Sequence, residues 1–145
     1  MNLIENLITY NNEKLEFLNE YLAANEMIES MSADQNFTAI RSLVDKKRSM
    51  ITSIHVIDDK VMFGIKKLKE ELGVSDLSEL NAENHPELKT LKGISGKVLK
   101  QMVQVKTSDE KVSGLISNAF EQLKTNPKLV DKNKMYYYTN SYFDK

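Results

Sequence analysis

The chain has 145 residues, enough for about one domain, and its 41% hydrophobic and 28% charged residues are typical of a soluble globular protein. A formal net charge of −1 excludes a global basic field that would draw the chain to nucleic acid. The absence of cysteine excludes disulfides, thiolate metal sites and cysteine nucleophiles, and it fits a reducing compartment.

Turn-forming residues are scarce along the chain. Only 5 Gly and 2 Pro occur, which favours long helices with few connections over an all-β fold. The segment from Met1 to Tyr10 has no basic start and no continuous apolar run, so it does not resemble a signal peptide. No stretch approaches the roughly 20 apolar residues of a membrane span. We therefore expect a cytoplasmic protein that does not insert into the membrane.

The first predicted helix spans about residues 2–30. Its apolar residues alternate at spacings of four and three along two adjacent stripes, which form a face wide enough for two neighbouring helices. Asn11 and Asn25 interrupt one stripe, where a polar residue fixes helix register at some cost in stability. A short turn follows, with Asp34 or Asn36 as the predicted N-cap of the next helix, so helices 1 and 2 should be antiparallel neighbours.

The second predicted helix, residues 36–72, carries an unbroken 3-4 alternation from Phe37 to Leu72 and would measure about 54 Å at 1.5 Å per residue. Lys47 and Asp58 interrupt its stripe three turns apart, too far to pair with each other, so each should reach the rim or meet a charge from helix 1 or 3. Gly73 and Val74 predict a Schellman-type helix end. The stripe consists of Phe37, Ile40, Val44, Lys47, Ile51, Ile54, Asp58, Val61, Ile65, Leu68 and Leu72.

The third predicted helix spans about residues 86–124 and begins at Pro86, after a connection with one short helical turn. Its stripe also contains a polar residue, Asp109. Gly93 and Gly96 each cost about 1 kcal/mol relative to Ala inside a helix, and they leave open whether the helix kinks, splits or admits a close neighbour there. The stripe consists of Leu88, Leu91, Ser95, Val98, Met102, Val105, Asp109, Val112, Ile116, Ala119 and Leu123.

These patterns together predict an all-α fold, an elongated antiparallel three-helix bundle with coiled-coil-like seams over residues 1–126. A short Tyr-rich C-terminal tail, residues 127–145, would follow it. Charge is divided between the helices, because residues 1–31 have a net charge of −5 whereas 36–72 and 86–124 each have +3. This division favours packing of helix 1 against both of the others.

The sequence contains no recognisable reaction centre. His55 and His85 have no second His or Cys at ligand spacing, and the adjacent Asp58 and Asp59 lie on different sides of a helix. Neither a Glu-x-x-His motif nor a Gly-rich phosphate loop occurs. We predict no catalytic, cofactor or metal site, no enzymatic activity and no nucleic-acid partner. A small enzyme or cofactor binder stays open as an alternative, and it would require a buried polar cluster.

The tail concentrates aromatic residues, with five of the chain's 11 in the last ten positions. One interpretation is that they are anchors for a partner, because Tyr and Phe supply large contact areas. The other is that the tail folds back and covers a hydrophobic groove of its own bundle, and the two combine if a client helix later replaces the tail. The five residues are Tyr136, Tyr137, Tyr138, Tyr142 and Phe143.

Three segments carry a family resemblance: LVDKKR at 43–48, KLKEELGV at 67–74 and VSGLISNAF at 112–120. Together with the long apolar stripes they resemble the FlgN-type flagellar export chaperones, and more generally the FliT-type chaperones, over most of residues 1–124. The resemblance implies a non-enzymatic cytoplasmic chaperone of flagellar type III secretion. Such a chaperone holds hook-filament junction subunits unpolymerised and delivers them to the export gate.

The resemblance also implies a binding site, because the C-terminal part of this family carries the client and gate contacts. The matching positions are Ile116, Phe120 and Leu123 at the end of helix 3, with the tail aromatics Tyr136, Tyr137, Tyr138, Tyr142 and Phe143. An amphipathic client segment would supply apolar side chains at helical spacing to an open bundle. A structural or scaffold coiled-coil protein is the alternative, and it would fill the same apolar surfaces by self-association.

Overall fold

The computed structural model describes residues 2–125, and these residues form an all-α three-helix bundle, as the periodicity predicts. Helix α1 spans Leu3–Ala33, α2 spans Phe37–Leu72 and α3 spans Pro86–Thr125. None of the described residues forms a strand. No helix within residues 2–125 has the length and apolar character needed to cross a membrane.

Local side chains set where the helices begin. The Asn2 side-chain oxygen accepts the backbone N–H of Ile4 at 2.9 Å, and the Asn36 side-chain oxygen accepts that of Ala39 at 3.2 Å. Each asparagine therefore caps a helix N-terminus by satisfying one of its free donors. Of the two predicted N-caps of α2, Asn36 fills the role and Asp34 does not.

Both α1 and α2 end in a Schellman motif. Gly73 has a φ of 67°, and the Val74 N–H donates to the Lys69 carbonyl at 3.1 Å, as the sequence predicts. The same hydrogen-bonding pattern ends α1, where Gln35 takes the left-handed position with a φ of 56°. That conformation is strained for a residue with a Cβ.

Helix α3 is continuous through its glycines. Gly93 and Gly96 lie inside the helix, and a Cβ at either position would meet nothing within 4 Å. The glycines therefore neither break α3 nor serve a close approach by a neighbour. Two 3-10 turns, Leu77–Glu79 and Ala82–Asn84, precede α3 where the sequence predicts one short helical turn.

Contacts divide the chain into two compact units, and each long helix contributes a segment to both. Among the described residues, unit 1 comprises 2–20 together with Met50–Gln104, and unit 2 comprises Tyr21–Ser49 together with 105–125. In both units α2 runs antiparallel to α1 and α3. The core of unit 1 is built on Leu7, Leu68, Leu88 and Leu91. The core of unit 2 is built on Ile28, Phe37, Ile40, Val44, Val112, Ala119 and Leu123.

In unit 1 the buried face of α2 departs from the predicted stripe. Met50 and Ile57 are buried, whereas the predicted Ile51 remains 38% exposed. Gly64 continues the column of Met50 and Ile57 at seven-residue spacing, and a Cβ there would lie 2.7 Å from Cδ2 of Leu7. The glycine lets α1 approach α2 closely at this point.

Candidate functional site

The predicted partner-binding residues at the end of α3 lie in or against the core of unit 2. Leu123 is fully buried, and Ile116 and Phe120 are half-buried and pack on the same core. The Arg41 guanidinium lies 5.0 Å from the centre of the Phe120 ring. Only parts of Ile116 and Phe120 are therefore accessible to a partner. The predicted tail anchors Tyr136, Tyr137, Tyr138, Tyr142 and Phe143 lie outside the described residues, so their role stays a prediction.

Exposed apolar side chains concentrate in unit 1. Of the nine large hydrophobic residues that are exposed among the described residues, only Met27 belongs to unit 2. Exposed apolar side chains that form one patch mark sites of interaction more often than scattered single residues do, so their position relative to a groove matters. The eight in unit 1 are Ile51, Val56, Met62, Phe63, Leu72, Leu99, Met102 and Val103.

A groove lies between α2 and α3 of unit 1, with α1 beneath it. Its deepest part is a cavity of about 250 Å³ over Leu7 and Asn11 of α1, with Ile65 of α2 on one side. The residues of this cavity are Leu7, Asn11, Ile65, Leu77, Leu88, Leu91, Lys92, Ser95, Gly96 and Leu99. A shallower depression shares Ile65 and extends over Met62, Lys66, Lys69, Glu70, Gly73, Val74 and Ser75. We call the two together the α2–α3 groove.

Residues of the predicted apolar stripes also remain uncovered in unit 1. Ile51 of α2 and Met102 of α3 both belong to those stripes, yet they are 38% and 41% exposed. Leu99 and Met62, which line the groove itself, are 64% and 70% exposed. A stripe at this spacing is buried when a further helix lies on it. Within residues 2–125 no such helix covers the groove.

The charged residues of the groove are mainly lysines. Lys66 and Lys69 line it from α2 and Lys92 lines it from α3, opposed by Glu70. Asp76 lies nearby: the hydrogen bond from the Ser78 N–H lowers the pKa of its carboxyl, and the charges of Lys69 and Lys92 lower it further. The three lysines against Glu70 and Asp76 leave the groove with an excess of one positive charge.

Unit 2 contains a polar cluster that the sequence analysis missed. Its centre is the Asp109 carboxylate, which accepts hydrogen bonds from the Tyr21 hydroxyl at 2.7 Å, the Asn25 amide at 3.0 Å and the Lys47 ammonium at 2.9 Å. Lys47 also lies 4.7 Å from the centre of the Tyr21 ring. Asn25, Lys47 and Asp109 each interrupt a predicted stripe, and that coincidence on three helices was the available signal.

The surroundings of the cluster favour a protonated Tyr21 and an ionised Asp109. Burial, the hydrogen bond to Asp109 and the negative charge of Asp109 all raise the pKa of Tyr21, so its hydroxyl remains a donor. Burial raises the pKa of Asp109, but its hydrogen bonds from Tyr21, Lys47 and Asn25 outweigh this effect and hold its pKa below the usual value. A carboxylate with three donors already in place acts as a fixed link between α1, α2 and α3 rather than as a proton carrier.

Unit 1 has its own ion pair between helices, from Lys14 of α1 to Asp58 of α2 at 2.5 Å. Lys14 is the only lysine in residues 1–31. The expectation that Lys47 and Asp58 each meet a charge from helix 3 or helix 1 is therefore confirmed. Among residues 2–125, no group of three or more His, Asp or Glu side chains is arranged to hold a metal ion.

Comparison of the chain with known protein families, with curated proteins and with solved structures finds no match. The resemblance to the FlgN-type chaperones therefore depends on the three sequence segments and the helical periodicity alone.

Proposed function

We propose that this chain is a non-enzymatic, cytoplasmic chaperone that binds an amphipathic helix of a client protein in the α2–α3 groove. Following the sequence resemblance, the client class is the hook-filament junction subunits of the flagellum, handed over to a component of the export gate. The chaperone shields the client's apolar helix face and so keeps the client from polymerising.

The observation that supports this function is the exposed apolar lining of the groove, where Leu99 and Met62 are 64% and 70% exposed. The groove also contains a cavity of about 250 Å³, which is room for an inserted side chain. Elsewhere in unit 1 the stripe residues Ile51 and Met102 are uncovered as well. An open bundle with uncovered stripe residues fits a protein whose fourth helix comes from another molecule.

A polar cluster is what the alternative of an enzyme or cofactor binder would require, but the pairing within the cluster around Asp109 supports a structural role. Its three donors come from three different side chains of the bundle, and each is already paired with the carboxylate. Buried polar links of this kind fix helix register, which suits a scaffold that must keep a groove open.

Self-association is the second candidate, because a second copy could cover the same exposed residues. A scaffold that acts by self-association would bury Ile51, Met62, Leu99 and Met102 in a stable dimer without any client. The state of the isolated protein separates this candidate from the chaperone. Analytical ultracentrifugation at micromolar concentration gives a monomer if the groove is reserved for a client.

The proposed function is tested by affinity capture from lysate of cells that express flagellar genes. Met62→Glu places a charge in the groove, and Phe63→Glu is the matched control because Phe63 is the next residue, similarly exposed, and does not line the groove. We expect the parent chain and Phe63→Glu to capture flagellar junction subunits and Met62→Glu to lose most of them.

A chain ending at Asn126 extends the same experiment to the tail. Weaker capture by this shortened chain supports the predicted anchors beyond residue 126, whereas equal capture assigns client binding to the bundle. Failure of every variant to enrich a flagellar protein would contradict the chaperone function. Equal capture by Met62→Glu and the parent chain would remove the α2–α3 groove from the proposal.

A further inference from the structure

We infer that the occupant of the α2–α3 groove is an acidic amphipathic helix, with one apolar face and glutamate or aspartate along both edges. This inference depends on the proposed function, since it specifies the partner of the same groove. It is carried by the arrangement of lysines around the apolar surface.

The apolar part of the groove sets the first requirement of the occupant. The cavity over Leu7 and Asn11 measures about 250 Å³. An apolar cavity of roughly 150 Å³ already holds a benzene-sized group, so one large aliphatic or aromatic side chain fits here. Asn11 donates its amide to the Leu7 carbonyl at 2.8 Å. Its own helix therefore satisfies one of the two amide N–H groups, and the Leu side chains around it keep most of the cavity lining apolar.

The lysines set the second requirement. Lys66 and Lys69 stand on the α2 side of the groove and Lys92 on the α3 side, so the two edges of a bound helix each meet positive charge. Glu70 and Asp76 oppose them near the connection after α2, leaving a net excess of one positive charge. Charges around an apolar contact select partners and speed association more than they add affinity.

The contacts of α1 give a partial precedent, because Glu29 of α1 pairs with Lys111 of α3 at 3.2 Å in unit 2, whereas the pair in unit 1 is reversed, from Lys14 of α1 to Asp58 of α2. Helix α1, which belongs to a segment of net charge −5, packs on α2 and α3, which belong to segments of net charge +3 each. Within unit 1, residues 50–72 of α2 carry four Lys against four acidic residues, whereas residues 86–104 of α3 carry four Lys against one Glu. A helix in the groove would therefore meet positive charge from α3 and from the lysines that line the groove.

The test uses two designed 18-residue peptides and the full chain. The peptides share Leu, Met and Phe at i, i+3, i+4 and i+7, and they carry either Glu or Lys at the flanking positions. Fluorescence anisotropy at low salt should give about tenfold tighter binding of the Glu peptide, and 0.5 M salt should shrink the difference because exposed charges are screened.

Charge reversal provides the matched variants. Lys66→Glu combined with Lys92→Glu should weaken binding of the Glu peptide and strengthen that of the Lys peptide. Lys97→Glu combined with Lys100→Glu changes the net charge equally at two exposed positions of α3 that do not line the groove, and it should have little effect. All four lysines are exposed, so the fold should tolerate each pair.

The outcomes separate this inference from the proposed function. Equal affinity for both peptides, abolished by Met62→Glu, overturns the acidic partner and leaves the helix-binding groove in place. Binding that Met62→Glu and Phe63→Glu affect equally overturns both. A dimer of the free protein that Met62→Glu dissociates would make a second copy the occupant, and it would also overturn the inference.

Discussion

Removal of the Asp109 carboxylate by Asp109→Ala should destabilise the bundle because it leaves three hydrogen-bond donors without their acceptor. The Lys47 side chain is only 8% exposed, so its ammonium would be left buried with no counter-charge. The Tyr21 hydroxyl and the Asn25 amide would lose the same acceptor. Breaking a buried ion pair from one side costs about 3–5 kcal/mol.

Partial exposure of Asp109 reduces that cost. Its side chain is 39% exposed, so water can replace part of the lost interaction. We therefore expect a loss of about 2–3 kcal/mol in the free energy of unfolding. With a urea m-value of about 2 kcal/mol/M, the midpoint of unfolding should fall by roughly 1 M.

Two controls test whether a stranded charge is the cause of this loss. Lys47→Met combined with Asp109→Leu removes both charges and should cost less than Asp109→Ala alone, because apolar residues of similar size can replace a buried pair. Asp58→Ala also leaves a buried ammonium unpaired, because the Lys14 side chain is 10% exposed, but it removes one contact in place of three and should cost less, about 2 kcal/mol. Urea unfolding followed by circular dichroism measures all three. A double variant as unstable as Asp109→Ala would refute the reasoning.

The pH dependence of Asp109 gives a second readout. Because its pKa is lower in the folded than in the unfolded chain, its contribution is fully present above the unfolded pKa of about 3.9 and is lost as the pH falls through the folded pKa. The stability difference between the parent chain and Asp109→Asn should be constant above about pH 5 and shrink below about pH 4. A difference that grows on acidification would contradict this assignment.

Two backbone predictions concern glycine. Gly64→Ala should cost about 1–2 kcal/mol in thermal or urea unfolding, because its Cβ would press on the buried Leu7, whereas Gly93→Ala has open space and should gain about 1 kcal/mol. Equal effects at the two positions would contradict close packing at Gly64. Gln35→Gly should gain about 1 kcal/mol by relieving a left-handed φ, and Gly73→Ala should lose a similar amount. A destabilising Gln35→Gly would show that the side chain contributes more than its strain costs.

Helical periodicity predicted the architecture well because burial in a bundle repeats with the turns of the helix. The bounds of α2 at Phe37–Leu72 match the predicted 36–72 closely, and the motif at Gly73 ends it as expected. The effect of Gly93 and Gly96 could not be read from propensity alone. Their cost is small beside the packing of a helix of 40 residues, so α3 continues through them.

The candidate groove could not be predicted, because a covered and an uncovered stripe residue look the same in sequence. Ile51 and Met102 fit the spacing as well as the buried Leu68 and Val98 do. Only the packing shows that α1 contacts α2 closely at Gly64 and that Ile51 and Met102 stay exposed. The polar cluster could not be predicted for a similar reason. Which stripe residues pair across helices depends on how the helices are aligned along their axes.

Site-specific photo-cross-linking in cells that express flagellar genes tests the α2–α3 groove most directly. Leu99 is the site of choice because it lines the groove and is 64% exposed, so replacing it with p-benzoylphenylalanine leaves the core intact. Phe63, equally exposed and not part of the groove lining, carries the same probe as the control. The account predicts a cross-link from position 99 to a flagellar junction subunit and none from position 63. A cross-link from position 99 only to a second copy of this chain, or equal products from both positions, would contradict it.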